Sequence, residues 1–579
     1  MVLVAGNAGK DGDFQEEAVV DYRGEPVDKT RTGGWLGAGL ILGTEFGERV
    51  CVNGINMNLV TYLIGYMHLP AAKSATIVTN FNGTLNLLTL LGGFLADAKL
   101  GRYLTVAIFA STASVGLALL TLATSIPGMR PPPCDFRSPH NNCIEANGKQ
   151  LALLYCALYT IALGGGGIKA NVSGFGSDQF DPSDPKEEKA MLFFFNRFYF
   201  CVSIGSLFAV TVLVYVQDHV GRAYGYGISA AIMLIGVIVL IAGTRVYRFK
   251  FPQGSPLTVI WRVLFLASKR RSVPHPSHPS LLNGFDTAKI SHTPRFKCLD
   301  KAAILDDFAA KDENRINPWI VSTVTEVEEV KLVLKLVPIW ATCILFWTVY
   351  SQMTTFTIEQ ATYMNRSVGS FVIPSGTYSV FLFMSVLLIT SLNERFFVPL
   401  ARRLTGNVQG LTSLQRIGVG LVSSMLSMTA AAIIEKHRRD RAVHDAVKIS
   451  AFWLIPQFFF VGAGEGFAYV GQLEFFIREA PEKMKSMSTG FFLSSIAMGF
   501  YVSTLLVSLV DRAHDRWLRS NLNKGRLENF YWMLAVLGCL NFMFFLVFSR
   551  RHQYKAQQIA EAENNEKELQ SWEDMGVDV

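Results

Sequence analysis

The sequence predicts an all-α membrane protein with about twelve transmembrane helices in two six-helix bundles. Three observations predict it. The composition is apolar: 50% of residues are hydrophobic, 17% are charged, and mean hydropathy is +0.29. Apolar stretches of about twenty residues recur along most of the chain, each long enough to cross ~30 Å of hydrocarbon. One long basic interruption, residues 245–330, divides these stretches six and six. A bilayer core offers backbone amides no water, so each span must satisfy its own hydrogen bonds, which makes it a helix.

Taken in order, the first six spans fall at 35–64, 76–98, 103–126, 150–171, 191–216 and 223–244. The second six fall at 331–353, 371–393, 414–434, 450–472, 486–510 and 529–549. Residues 1–31 are polar and of mixed charge, with Asp11, Asp13, Glu16, Glu17, Arg23 and Lys29. They read as a flexible cytosolic tail with no cleavable signal peptide. The domain order is then a tail (1–31), a first bundle (32–244), a linker (245–330), a second bundle (331–549) and a charged, helical-then-frayed tail (550–579).

Basic residues set the orientation. The linker carries Arg245, Arg248, Lys250, Arg262, Lys269, Arg270 and Arg271 and is expected in the cytosol, with both termini inside. The 127–149 loop has few basic residues and is expected outside. Two segments run against this rule: Glu435 to Arg441 and Arg512 to Arg526 are rich in Lys and Arg yet fall outside. The linker carries the stronger signal and decides the topology. The eight cysteines show no metal-ligand spacing. Cys134 and Cys143 share one Pro-rich outer loop, where a disulfide and two free thiols are both open. Asn365-Arg366-Ser367 is a glycosylation sequon in an outer loop, whereas the sequons at Asn82 and Asn171 lie in or beside spans.

The first span contains three charges within five residues, Glu45, Glu48 and Arg49. Positions i, i+3 and i+4 share one helix face, so these form a polar stripe. A charge at membrane depth costs ~2.5–3.5 kcal/mol or more, so such residues pair with one another or line a pathway. Lys169, in Gly166-Gly167-Ile168-Lys169, and Glu465, in Gly462-Ala463-Gly464-Glu465-Gly466, are lone charges in apolar, Gly-rich helices. Structural ion pairing and a proton relay are both open for this set, and the two can coexist.

After the second span comes Gly92-Gly93-Phe94-Leu95-Ala96-Asp97-Ala98-Lys99-Leu100-Gly101-Arg102. It resembles the signature loop of major facilitator proteins, whose two-bundle organisation the hydropathy already suggests. Asp97 and Arg102 are suited there to state-dependent ion pairs at the cytosolic face. Further runs follow: Phe175-Gly176-Ser177-Asp178-Gln179-Phe180, Phe194-Phe195-Asn196-Arg197-Phe198-Tyr199-Phe200 and Ser203-Ile204-Gly205-Ser206. Together with Glu45-Phe46-Gly47-Glu48-Arg49 they resemble the proton-coupled oligopeptide transporter family, and within it the plant branch of nitrate and peptide transporters. The resemblance extends from Lys29 to Leu527.

The resemblance implies a major facilitator fold and proton symport by alternating access. It assigns proton coupling to Glu45, Glu48, Arg49, Lys169 and Glu465, with Arg49 and Lys169 also as cations for the substrate. Three carboxylates and two cations sum to −1 when ionised, which repels an anion; one proton brings the set to 0 and two bring it to +1. Burial and neighbouring cations act in opposite directions on a carboxylate's proton affinity, so the set is suited to loading protons. The membrane potential favours net positive cargo, which points to more than one proton per monovalent anion.

In nitrate-carrying relatives a histidine occupies the position of Tyr350 in the seventh span. Tyr350 supplies a hydroxyl donor and no charge, which predicts weaker anion affinity and poorer discrimination between nitrate and chloride. Thr354, one turn further, is a second candidate donor. Arg102-Tyr103-Leu104-Thr105 has the spacing of a basophilic kinase site, so Thr105 is a phosphorylation candidate.

The linker contains no nucleotide loop, metal set or nucleophile constellation, and no Walker sequence occurs. An enzyme or an ATP-driven pump is therefore not expected, no cofactor or metal is called for, and the net charge of +7 does not suggest nucleic acid. The expected function is proton-coupled import of nitrate at low affinity across the plasma membrane, with the tonoplast as the other membrane. Chloride-preferring anion transport, di- or tripeptide transport and a signalling transceptor are the alternatives. Expected partners are nitrate or chloride, protons, the lipid bilayer, a cytosolic kinase and a second copy of the chain.

Overall fold

A computed structural model describes residues 19–554, except 29–30, 135–142, 182–183, 253, 276–277, 286–289, 291, 306–318, 406–409, 482–484 and 515. Most of both tails, 1–18 and 555–579, lies outside the described residues. The fold is all-α. Its long helices are α1 (Gly34–Asn56), α2 (Ala71–Leu95), α3 (Gly101–Ser125), α4 (Gly148–Ser177), α5 (Pro185–Phe208) and α6 (Arg222–Ala242) in the first half. The second half has α7 (Val324–Ser351), α8 (Val380–Leu392), α9 (Ser413–His444), α10 (Ile455–Glu479), α11 (Lys485–Ala513) and α12 (Leu527–Arg551). Each of the twelve expected spans corresponds to one of them.

Nine stretches among the described residues are long and apolar enough to cross a membrane. One of them, Ala71–Ser125, holds both α2 and α3. Helices α1 and α10 are not among the nine, because they carry the charged and polar residues singled out above. Apolarity also ends before the helices do. α9 continues to His444, ten residues past its expected end, and α7 begins at Val324 rather than 331. Capping explains several starts: Asn147 with Gln150, Thr323 with Glu326, and Thr412 with Gln415 form reciprocal boxes at α4, α7 and α9. α8 starts late because Phe371–Val372 pair with Ser367–Val368 in a small hairpin.

One apolar core unites the first half, with Ile41, Phe81, Leu117, Ile161 and Met233 fully or nearly buried. The second half has two cores. One lies around Leu336, Phe346, Leu421 and Phe492, toward the linker. The other contains Met428, Phe458 and Phe530, at the opposite, far end, and takes in Ala71, Ala72 and Ala75 of α2. The halves therefore pack together at the far end. α2 and α11 form the main seam, with Thr79–Thr504 hydroxyls at 2.6 Å and Thr84–Tyr501 at 2.9 Å.

The described part of the linker packs against the second half. A helix at Pro256–Lys269 lays Val263, Leu266 and Ala267 on Val324, Val327 and Val330 at the start of α7. Arg262 pairs with Glu326, and Lys331 bridges Asp300 and Glu328 at 2.7 Å each. The described part of the N-terminal tail is also held: Val19–Val20 pair antiparallel with Phe249–Lys250. That corrects the expectation of a free tail for these residues.

The basic cluster at the far end of α9 still runs against the charge rule, which counts Lys and Arg, and the fold shows which acidic partners three of its arginines have. Arg438 is 1% exposed and donates to both oxygens of Glu435 at 2.7 and 2.8 Å. Arg439 pairs with Glu528, and Arg441 with Asp445. The Arg438 and Arg439 pairs lie inside the fold, whereas the Arg441–Asp445 pair is exposed. Cys134 and Cys143 form a disulfide at the same end, and Asn365 is exposed there. Asn82 and Asn171 are buried.

The glycine run of α4 sets how closely three helices approach. A Cβ on Gly167 would collide with the Phe109 ring of α3, and one on Gly92 of α2 would lie 2.6 Å from the Cα of Gly167. Gly167→Val is expected to lower the thermal midpoint of the detergent-solubilised protein, by overpacking worth ~1–3 kcal/mol; an unchanged melting curve contradicts this account.

Candidate functional site

The stripe read from the first span is real and buried. Glu45 and Glu48 are 0% and 1% exposed. Arg49 Nε donates to Glu45 Oε1 at 2.6 Å and stands 3.3 Å from Glu48 Oε2. One guanidinium therefore serves two carboxylates. Neither oxygen of Glu48 accepts a hydrogen bond from the protein, nor does Glu45 Oε2. Gly205 of α5 permits the close approach, since a Cβ there would lie 3.1 Å from that of Arg49.

Lys169 sits on α4, two residues past the Gly164–Gly167 run. A Cβ on Gly165 in that run would lie 3.7 Å from Glu48 Oε1, which shows that α4 faces the stripe directly. The Lys169 ammonium donates to Asn86 Oδ1 of α2 at 2.7 Å. No carboxylate among the described residues reaches ion-pair distance of it. It nevertheless interacts electrostatically with Arg49, Glu48, Glu45 and Glu465 together. Glu465 approaches from α10, in the other half, with its Oε2 unpartnered. The five charges thus meet where the halves face each other.

Two groups beside the cluster were not singled out from sequence. Asn86 holds the lysine; its signal was the pair Asn82 and Asn86, one turn apart in an apolar helix. Tyr469, one turn past Glu465, lies within electrostatic reach of Arg49, Glu45 and Glu465. A tyrosine in an aromatic-rich helix gives no such signal by itself.

Tyr350, on the last turn of α7, is half-buried; its ring lies 5.5 Å from that of Trp347 and it interacts with Glu465. Thr354 does not act as its companion donor. α7 ends at Ser351, Gln352–Thr354 form a 3₁₀ turn, and the Thr354 hydroxyl donates to the Ser351 carbonyl at 2.9 Å. The helical spacing that put both residues on one face stops before Thr354.

At the linker end Arg102 pairs with Asp178 at 2.7 Å, and Lys250 approaches the same carboxylate at 3.6 Å. The Asp97 carbonyl accepts from the Gly254 amide, tying the signature loop to the linker. Thr105 is 0% exposed and its hydroxyl donates to the Gly101 carbonyl at 2.8 Å. In this conformation a kinase cannot reach it. Within the linker, His292, Asp300 and Glu328 bring ligand atoms within 4.8 Å of one another. The Lys331 ammonium already supplies the positive charge between the two carboxylates.

Removing the lysine's acceptor leaves a buried ammonium with one fewer partner, a change worth ~1–3 kcal/mol. Asn86→Leu is therefore expected to cut transport about tenfold or more at constant surface abundance, read as initial uptake per molecule.

The POT family model matches residues 103–532 of the chain. The chain is 69% identical over 565 residues to Protein NRT1/PTR FAMILY 6.4 of Arabidopsis thaliana, covering 96% of this chain and 95% of that one. It is 49% identical to Protein NRT1/PTR FAMILY 6.3 of the same plant, with 93% and 95% covered. The fold is similar to that of the POT family transporter PepTSo, with a TM-score of 0.66 over 89% of this chain and 98% of the other, at 22% identity. An auto-inhibited POT family peptide transporter gives a TM-score of 0.65 at 22% identity, covering 90% and 97%. This chain is therefore a multi-pass membrane transporter of the POT family.

Proposed function

We propose that the chain is a proton-coupled symporter that imports nitrate at low affinity by alternating access across the plasma membrane. The observation that carries the reading is the net charge of the central cluster. Glu45, Glu48 and Glu465 face Arg49 and Lys169, three negative charges against two positive, in one buried region between the halves. Carboxylate oxygens of Glu45, Glu48 and Glu465 lack hydrogen-bond donors from the protein. Protons supply what those oxygens lack, and each one moves the cluster toward attracting an anion. An anion bound beside Arg49 and Lys169 then compensates the cations, so cargo and protons favour each other's binding.

Residues 32–244 and 331–549 act as the two moving bundles in this reading, with 245–330 as a cytosolic linker. Asp97 and Arg102 belong to a gate at its face. Thr105 becomes a phosphorylation site only in a state that opens the start of α3.

Tyr350 favours a second cargo. It offers an anion a hydroxyl and no charge, which suits chloride as well as nitrate. Two-electrode recording in oocytes at acid pH, with nitrate, chloride and a dipeptide in turn, separates the readings. Nitrate-dependent inward current is expected, with chloride close behind; peptide current without nitrate current would refute both anion readings. Glu48→Gln should abolish the proton-driven component, and undiminished current would remove the stripe of α1 from coupling.

Tyr350→His adds a cation and a charge-assisted hydrogen bond, worth ~1.5–3 kcal/mol. Nitrate affinity is expected to rise about tenfold or more, and the nitrate-to-chloride ratio with it. Unchanged values for both would take Tyr350 out of the anion site.

A further inference from the structure

A further buried carboxylate, Glu359, lies outside the central cluster. We propose that Glu359 is a further proton-binding residue, placed between a cavity at the far end and the central charges, and that its proton favours closure of the far end. The inference rests on the proton-coupled reading above.

The chain geometry puts Glu359 there. After the 3₁₀ turn at Gln352–Thr354 the helix resumes as Phe356–Thr362, completely buried from Phe356 to Ala361. Glu359 is 2% exposed, and neither of its carboxylate oxygens accepts a hydrogen bond from the protein. An ionised carboxylate in that setting is an uncompensated buried charge. Carrying a proton, the same side chain is a neutral acid that the fold tolerates.

The groups that face it explain why no cation among the described residues hydrogen-bonds to it. On α9, Glu435 and Arg438 both interact with Glu359, but Arg438 already gives Nε and Nη2 to Glu435 and Nη1 to Asn523 at 2.7 Å. From α12 come Tyr531, which interacts with Glu359 and Glu435, and Glu528, which is paired with Arg439. α10 offers Gln457, whose amide donates to Thr357 at 3.1 Å and to Gln360 at 3.4 Å. Across from it the first half presents Arg222 and Asp218, paired at 2.7 Å, and His219. Tyr363 and Arg366 follow on its own segment. Arg366 at the cavity wall donates to the Ile373 carbonyl at 3.1 Å, while Glu359, Glu435 and Arg438 by themselves sum to −1 when ionised and to 0 with one proton. This is the arithmetic of the central cluster repeated at the far end.

Access and connection are both present. A cavity of about 390 Å³ between the halves is lined by Glu359 together with Thr61, Asp218, His219, Arg222 and Tyr363. Toward the centre, Thr357, Thr355 and Ser351 are buried polar side chains leading back to Tyr350. In this structure the far end is closed, since Ala71 meets Ser520 and Gly376 abuts the Met57 carbonyl. A proton that binds the closed arrangement better than the open one stabilises closure by that difference.

The test uses the full-length protein reconstituted in liposomes, with Glu359→Gln as a fixed neutral side chain and Glu359→Asp as its conservative partner. Anion counterflow without a pH gradient should survive in Glu359→Gln. Accumulation driven by an acid outside should fall by about fivefold or more, the low end of site-to-site coupling, and its pH profile should flatten. Glu359→Asp should recover both. A Gln variant with normal accumulation and an unaltered pH profile overturns the proposal, as does loss of counterflow in both variants, which marks a structural role. If wild type itself shows no pH-driven accumulation, the proton-coupled reading fails. The site is then judged by pH-difference infrared spectroscopy: a protonated-carboxyl band absent from Glu359→Gln supports it, and identical spectra overturn it.

Discussion

Arg49 lies 2.6 Å from Glu45 and 3.3 Å from Glu48, and the rest of the structure is arranged around that contact. Buried single charges at membrane depth are costly, and one guanidinium answers only one of the two carboxylates in full. The remaining negative charge must be met from elsewhere. Lys169 meets it from α4, and the glycines that bring α4 close to α1, α2 and α3 are what put the lysine in range. Glu465 then restores the imbalance from the other half. Had Glu465 been apolar, the ionised set would be neutral and the second half would contribute no charge to it.

The break in α7 divides a single polar theme into two centres. Before it stand Trp347 and Tyr350, beside the central charges; after it stands Glu359, beside the Glu435–Arg438 pair. The buried hydroxyls and amides between them, from Ser351 to Gln360, are satisfied largely by backbone carbonyls and by one another. Such a helix is poorly suited to inert packing. Its outer turns are held by polar contacts each worth only ~1 kcal/mol, and interactions of that size can be exchanged when the halves move.

Much of this was legible in the residues and some was not, for identifiable reasons. Hydropathy located all twelve helices because lipid demands apolar length, but it missed their polar ends, where caps and ion pairs replace lipid contact. The charges of the cluster stood out because a lone Lys169 or Glu465 in a Gly-rich apolar stretch has few bland explanations. Asn86 and Tyr469 did not, since amides and phenols are common in such helices and only the fold brings them to the lysine and the stripe. Thr354 was misplaced because a helical spacing was extended across a turn that periodicity does not register. Glu359 was passed over for a related reason: the apolar run of the seventh span ends near residue 353, so a carboxylate beyond it resembled a loop residue. Arg438 and Arg439 run against the charge rule, and what the residues alone did not show is that Glu435 and Glu528 pair with them.

The two ends of the molecule are held differently, and that difference bears on the proposed cycle. At the linker end Arg102 pairs with Asp178 and Arg416 with Glu474 within their own halves, while the linker's Arg248 and Arg262 pair with Glu187 of the first half and Glu326 of α7. The contacts that cross between halves include hydroxyl pairs and close backbone approaches, such as Thr84 with Tyr501 and Gly376 against Met57, beside the apolar packing of Ala71, Ala72 and Ala75 and the stacking of Tyr215 on Phe371. Ion pairs confined to one bundle stiffen it as a moving body without resisting separation from its partner. In the proposed cycle the charges that bear on the interface are those of Glu48, Lys169, Glu465 and Glu359. The apolar bundles supply the rigidity, and a few unbalanced carboxylates supply the direction.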